Sequence, residues 1–217
     1  MARPPLAELV APDHTAVLTV ELQRGVVGPD AVIAELGEVA RARGVLDAAG
    51  RVCRAARRAG ARVVHATVRH RPDGAGESHN TRLFALLRRA RERTGHSPTE
   101  DGRPGVELVT EVGRDPRDIE VARIHGVTAF SGTELDAILR NLGIRTVVVV
   151  GVSLNLGVVG AVLGAADRGY EVVVVDDAVV GLPVEYGEAV LAGTCAMVAT
   201  LVSSAELVAA WGDTPVA

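Results

Sequence analysis

The sequence predicts a three-layer αβα fold, Rossmann-like, with a mostly parallel sheet of about six strands. Short runs of Val, Ala and Leu alternate with segments of helical periodicity, the pattern of repeated βαβ units. Hydrophobic residues make up 48% of the chain, enough for a large aliphatic core. The length of 217 residues suits one domain. We expect that domain to span residues 1–217, with a core at about 14–205.

The strands and helices follow from local patterns. Thr15–Val20 is an aliphatic and β-branched run, which predicts the first strand. Apolar residues at helical spacing predict a helix over 31–59, which Gly60 ends. Four valines after Thr146 predict a buried central strand over 146–150. The other predicted elements are strands 61–67, 119–124, 171–175 and 200–203, and helices 131–142, 157–168 and 184–199.

The least regular part of the sequence is the region of about 69–117. Residues 69–76 and 94–105 are rich in Pro, Gly, Asp and His, which predicts loops. Between them, residues 81–93 carry five arginines beside Leu and Phe, which predicts an amphipathic basic helix. Such a helix either presents a solvated face or forms a lid or anion-binding face over a site. The sequence leaves both alternatives open.

Composition excludes several classes of function. All 23 basic residues are arginine, so no lysine can form a Schiff base or shuttle a proton. A net charge of -4 gives no overall field that attracts nucleic acid, and no apolar run approaches the ~18–20 residues that cross a bilayer. Two cysteines do not make a disulfide framework, which favours a cytoplasmic location. We therefore expect neither a nucleic-acid nor a membrane partner.

Polar residues follow two of the predicted strands, where ligands bind in open parallel sheets. Glu21 leaves the first strand, and burial at such a position can raise a carboxyl pKa towards neutrality. The alternative is a structural carboxylate that pairs with Arg24 or caps a loop. Residues 151–157 form a glycine-flanked turn that runs into a helix, and such a turn can stabilise an oxyanion or bind an anionic group.

Four ordered motifs resemble the isochorismatase-like hydrolases. Residues 16–23 (AVLTVELQ) are similar to the opening strand of that superfamily, which ends in D-x-Q, and residues 128–135 (TAFSGTEL) to its S-A-F-x-x-T-x-L segment. Residues 143–152 (GIRTVVVVGV) and 166–178 (ADRGYEVVVVDDA) match two further strand motifs. The resemblance implies the αβα fold, a cis peptide between Val152 and Ser153, and a homodimer or homotetramer.

The resemblance also identifies where a catalytic triad would lie. The cysteine hydrolases of the superfamily use Asp, Lys and Cys, and these positions fall on Glu21, Ile124 and Gly157. The triad is therefore degenerate. Arg123 and His125 flank Ile124, and the sequence leaves open whether either replaces the lysine. Cys53 and Cys195 lie in predicted helices and are interpreted as inert core thiols.

Isochorismatases proper also carry Gly at the cysteine position and hydrolyse a vinyl ether without a covalent intermediate. By this resemblance, we predict a hydrolase or lyase of a small polar metabolite, in which Glu21 is the general acid/base and Gly157 belongs to the catalytic turn. The alternative is an inactive member that serves in binding or oligomerisation. We predict no cofactor and no metal, since residues 70–73 (HRPD) resemble a turn of metal-free members. The predicted substrate contacts are Gln23, His65, His125, Phe130, Ser153 and Asn155.

Overall fold

A computed structural model describes residues 4–212. In this part of the chain six strands form a single sheet in the order β3-β2-β1-β4-β5-β6, and every neighbouring pair is parallel. The predicted α/β fold is confirmed, with a sheet that is parallel throughout. The strands are β1 Thr15–Val20, β2 Arg62–Val68, β3 Ile119–Arg123, β4 Thr146–Gly151, β5 Glu171–Val179 and β6 Thr200–Val202.

Helices connect the strands and cover the sheet. Over residues 4–212 no helix is both long enough and apolar enough to span a lipid bilayer. The α-helices are α1 Leu6–Leu9, α2 Arg24–Val27, α3 Ala34–Ala42, α4 Val45–Ala59, α5 Arg82–Thr94, α6 Leu135–Asn141, α7 Val159–Asp167, α8 Val184–Val190, α9 Ala196–Val198 and α10 Ser204–Ala210. Short 3-10 turns lie at Pro12–His14 and Pro104–Val106, and π-helical turns at Leu154–Val158 and Leu191–Cys195.

Two cores lie on opposite faces of the sheet because side chains alternate along each strand. On one face Val17 and Val148 pack with the buried side of α4 and with Leu207 of α10. On the other face Leu18 packs with α6 and with Ala161 of α7. All residues of β1 and β4 are buried, as expected for central strands between two helical layers.

The predicted single helix over 31–59 was wrong. Gly44 adopts a left-handed conformation with φ of 71°, which ends α3 and lets α4 begin in a new direction. The predicted strand 171–175 continues to Val179, although Asp176 and Asp177 are exposed. The predicted helix 184–199 contains the π-helical turn Leu191–Cys195. Near the carboxyl end, α10 was not predicted.

The strand order reverses between β1 and β4. The chain moves outwards from β1 to β2 and β3 on one side, and from β4 to β5 and β6 on the other. Helices that leave two adjacent strands in opposite directions open a crevice at the strands' carboxyl ends. Glu21 follows β1 directly and Val152 follows β4, so both lie at this crevice.

Candidate active site

A cavity of about 220 Å³ opens at the crevice. Its floor is formed by residues that follow β1, β3 and β4, and its walls by apolar side chains from the surrounding helices and loops. The polar residues and the glycine at or near the floor are Glu21, His70, Arg123, His125, Ser153, Asn155 and Gly157. The residues that the sequence placed after β1 and β4 therefore meet at one cavity.

Glu21 has the only positive φ of a non-glycine residue in the described chain, at 53°. Such a conformation is strained for a residue with a Cβ and is concentrated at functional sites. The turn is held from both sides: the Glu21 N–H donates to Ala66 O at 2.9 Å, and the Gln23 amide donates to Val68 O and Val106 O at 3.0 Å each. Gln23 Oε1 also accepts from Val68 N at 2.7 Å. The carboxylate is thereby fixed at the end of β1.

Arg123 is the residue that meets Glu21. Its Nη2 donates to Glu21 Oε1, and the two side chains are 5% and 17% exposed. Arg123 is the last residue of β3 and pairs with Val68 of β2. Because alternate side chains on a strand point to the same face, Arg123 lies on the same face as Val121, and this is the face that Glu21 reaches. Ile124 follows the end of β3, is 39% exposed and also lines the cavity. The cation beside Glu21 is thus one residue earlier than the motif count indicated.

Gly157 lies against Glu21 on the opposite side. A Cβ at this position would lie 3.6 Å from Glu21 Oε1 and 3.2 Å from Val20 Cγ1. The peptide between Val152 and Ser153 is cis, as the resemblance implied. Ser153 Oγ donates to Asn155 Oδ1 at 2.5 Å, and Asn155 Nδ2 donates to Leu182 O at 2.8 Å. These bonds tie the turn after β4 to the loop after β5.

Three of the predicted substrate contacts do not line the cavity. His65 is 2% exposed in the middle of β2, where it bonds Thr19 Oγ1 at 2.8 Å and Asp118 Oδ2 at 3.1 Å. Phe130 is buried against Tyr170, with ring centroids 6.3 Å apart. Gln23 is fully buried and its side chain fixes the backbone. These three side chains thus lie away from the cavity, whereas His125, Ser153 and Asn155 line it, and substrate binding by any of the six stays a prediction.

Sequence reasoning missed a cavity residue, His70, which it considered only as a metal ligand. His70 lies two residues beyond the end of β2, and its Nδ1 bonds Ser97 Oγ at 2.8 Å and Thr99 Oγ1 at 3.1 Å. Burial lowers the pKa of His70, so the ring is neutral near pH 7. Like Glu21, His70 lies just past the end of a strand, and this position could have identified His70 as a cavity residue from the sequence.

Neither cysteine reaches the cavity. Burial raises the pKa of the Cys53 thiol to about 12, and burial also raises the pKa of the Cys195 thiol. A thiol with so high a pKa is a poor nucleophile at neutral pH. Within residues 4–212 no group of three or more His, Cys, Asp or Glu side chains is arranged to hold a metal ion.

The fold is that of an α/β protein with a cavity where the strand order reverses. The family profile of the isochorismatase domain matches residues 15–206. The chain therefore belongs to the isochorismatase family.

Individual relatives agree with this assignment. An uncharacterised isochorismatase family protein of Bacillus subtilis, YwoC, is 36% identical over 86 residues, which are 40% of this chain and 45% of that protein. The match thus spans less than half the length of that curated relative. An isochorismatase family protein of Desulfovibrio vulgaris is 26% identical with a TM-score of 0.70, covering 89% of this chain and 95% of the other. The N-carbamoylsarcosine amidase of Thermoplasma acidophilum is 25% identical with a TM-score of 0.64, covering 88% and 96%.

Proposed function

We propose that the protein hydrolyses a small molecule with water as the nucleophile and Glu21 as the proton carrier. The observation that carries this proposal is the position of Gly157 next to the carboxylate of Glu21. No nucleophilic side chain lies where the cysteine hydrolases have theirs, yet a carboxylate oxygen faces that space, 3.6 Å from the position of a Cβ. The likeness to an amidase supports hydrolysis as the reaction class.

The reaction needs one water molecule and one proton carrier. The water oxygen forms a bond to the electrophilic carbon of the substrate while Glu21 accepts a proton from that water. The bond to the leaving group breaks, and the leaving group takes the proton from Glu21. Glu21, paired with Arg123, enters as a carboxylate and returns to that state, so atoms and charge balance.

Negative charge that develops on the substrate needs stabilisation. The helical run from Leu154 begins at the cavity floor, directly after Ser153. The first amides of a helix lack intrahelical acceptors and carry the positive end of the helix dipole. Two amides of this run already have acceptors, because Leu154 N donates to Val180 O at 2.8 Å and Leu156 N to Ser153 O at 3.0 Å. In the proposed mechanism the amide of Gly157, beside Glu21, stabilises the developing oxyanion.

One observation favours the second candidate function, an inactive member that serves as a binding or oligomerisation protein. The direct contact between Arg123 and Glu21 is also what a purely structural ion pair would show. Apolar side chains are exposed along α8 and α9, with Tyr186 57% and Met197 82% exposed. Such a surface suits contact with another copy of the chain.

Turnover of a small panel separates the two candidates. The purified protein is incubated with isochorismate, assayed by pyruvate release, and with N-carbamoylsarcosine and nicotinamide, assayed by ammonia release. The control is the double variant Cys53→Ala/Cys195→Ala, checked for folding by circular dichroism. Turnover that survives in the folded double variant supports a water nucleophile. Loss of turnover in that folded variant contradicts the proposal, and no turnover of any compound favours the inactive member.

A further inference from the structure

The basic helix α5 carries an apolar face that packs against neither core. Leu83, Phe84 and Leu87 are each partly buried, and all three line the cavity. They belong neither to the two core clusters nor to the partly buried apolar side chains packed against those cores. These side chains therefore face the cavity without a core partner on that side.

The position of α5 is fixed by polar contacts behind this face. Thr81 caps the helix by accepting from Phe84 N at 3.2 Å. Arg91, which is 18% exposed, donates to Glu77 and to Pro72 O and lies 3.7 Å from Glu100. The helix thus forms one wall of the cavity.

The wall opposite α5 is apolar as well. Val26 of α2, Ile33 just before α3 and Leu36 of α3 line the cavity, above the floor that carries Glu21 and Arg123. The charges of Glu21 and Arg123 offset each other at the floor. Two further charged side chains of opposite sign, Glu77 and Arg88, also line the cavity. The charged groups that line the cavity therefore carry no net charge, and the rest of its walls are mainly apolar.

We propose that this α5 wall, formed by Leu83, Phe84 and Leu87, binds an apolar ring or branched alkyl body of the substrate, whose neutral polar group lies against Glu21. This inference rests on the proposed function and refines the expected small polar metabolite to an amphiphilic one. The volume of about 220 Å³ exceeds the ~150 Å³ of an apolar cavity that binds benzene. Burial of apolar surface against the wall provides the affinity.

The test compares two amides that differ only in the apolar body. Binding of benzamide and acetamide to the full chain is measured by NMR titration. We expect benzamide to bind at least about tenfold tighter. Leu87→Ala should weaken benzamide about threefold or more while changing acetamide little. The matched control is Leu86→Ala on the same helix, because Leu86 is 47% exposed and does not line the cavity. It should leave both affinities unchanged.

Three results of the binding experiments would overturn the inference. These are no detectable binding of benzamide, equal affinity for the two amides, or equal effects of Leu86→Ala and Leu87→Ala. If Leu87→Ala fails to fold, Leu83→Ala replaces it with the same expectation. The inference is also overturned if sedimentation shows that a second copy binds and benzamide is excluded from that assembly, because the second copy then covers the wall. Tighter binding of benzamide without turnover of any panel compound would support the binding role of the α5 wall and contradict the proposed hydrolase function. Turnover without tighter binding of benzamide would support the hydrolase function and contradict the binding role of the wall.

Discussion

The guanidinium of Arg123 contacts the carboxylate of Glu21 at the point where the strand order of the sheet reverses. A cation from β3 thus lies beside the carboxylate after β1, where the resembling cysteine hydrolases pair Asp with Lys. The residue types differ, but a carboxylate–cation pair is present. Of the three positions that the resemblance identifies, Ile124 and Gly157 carry no polar side chain.

Removal of the cation should destabilise the protein. Arg123→Met leaves Glu21, which is 17% exposed, without its partner in a mostly buried setting, and we expect a loss of about 3 kcal/mol in the free energy of unfolding. The double variant Glu21→Gln/Arg123→Met should recover part of that loss because no charge remains unpaired. Urea unfolding of the four proteins in the cycle measures both effects. Additive losses would show that the two side chains do not interact.

The buried histidine of β2 predicts a pH dependence of stability. Burial lowers the pKa of His65 below its ordinary value of 6.5, although the hydrogen bond that His65 donates to Asp118 opposes this shift. The unfolded chain therefore binds more protons than the native chain as pH falls, so stability is full above about pH 6.5 and declines below it, through the native pKa.

His65→Gln should reduce that decline, because the amide keeps a hydrogen-bonding group but does not titrate. Urea unfolding midpoints at a series of pH values measure the decline in both proteins. An identical pH slope in the variant would show that His65 does not contribute.

A thiol introduced beside Glu21 should be accommodated and reactive. For Gly157→Cys, the new Cβ meets Val20 Cγ1 at 3.2 Å, so we expect a cost of about 1–2 kcal/mol in stability. The new thiol faces the cavity, whereas Cys53 and Cys195 are buried with raised pKa values. Reaction of the native protein with a thiol reagent should therefore give one rapid equivalent that the parent protein lacks. A variant whose thiol reacts no faster than the buried pair would contradict the described geometry.

The sequence predicted the elements whose patterns are local. Thr15–Val20 was assigned with its observed bounds because a continuous aliphatic run can be buried only in the middle of a layered sheet. The 31–59 helix was wrong because periodicity continues on both sides of Gly44, while the break comes from one backbone angle that periodicity does not report.

The site residues depended on contacts between distant segments. Arg123 was not assigned beside Glu21 because its position was counted along the sequence from a motif that lies beyond the loop after β3. In the structure the position of Arg123 is fixed by its pairing with Val68 of β2. The contact of His65 with Asp118 was not predicted, because the two residues are 53 positions apart in sequence. The apolar face of α5 was visible in the sequence, but the side of the helix that meets the cavity is set by Arg91 and its partners.

The most direct test of the central claim is the effect of Glu21→Gln on kcat for a compound that the wild-type protein hydrolyses. Gln keeps the size of the side chain and removes its capacity to carry a proton, so the account predicts a fall in kcat of about 10²–10⁴-fold in a protein that still folds. A kcat within about threefold of wild type would contradict the assignment of Glu21 as the proton carrier.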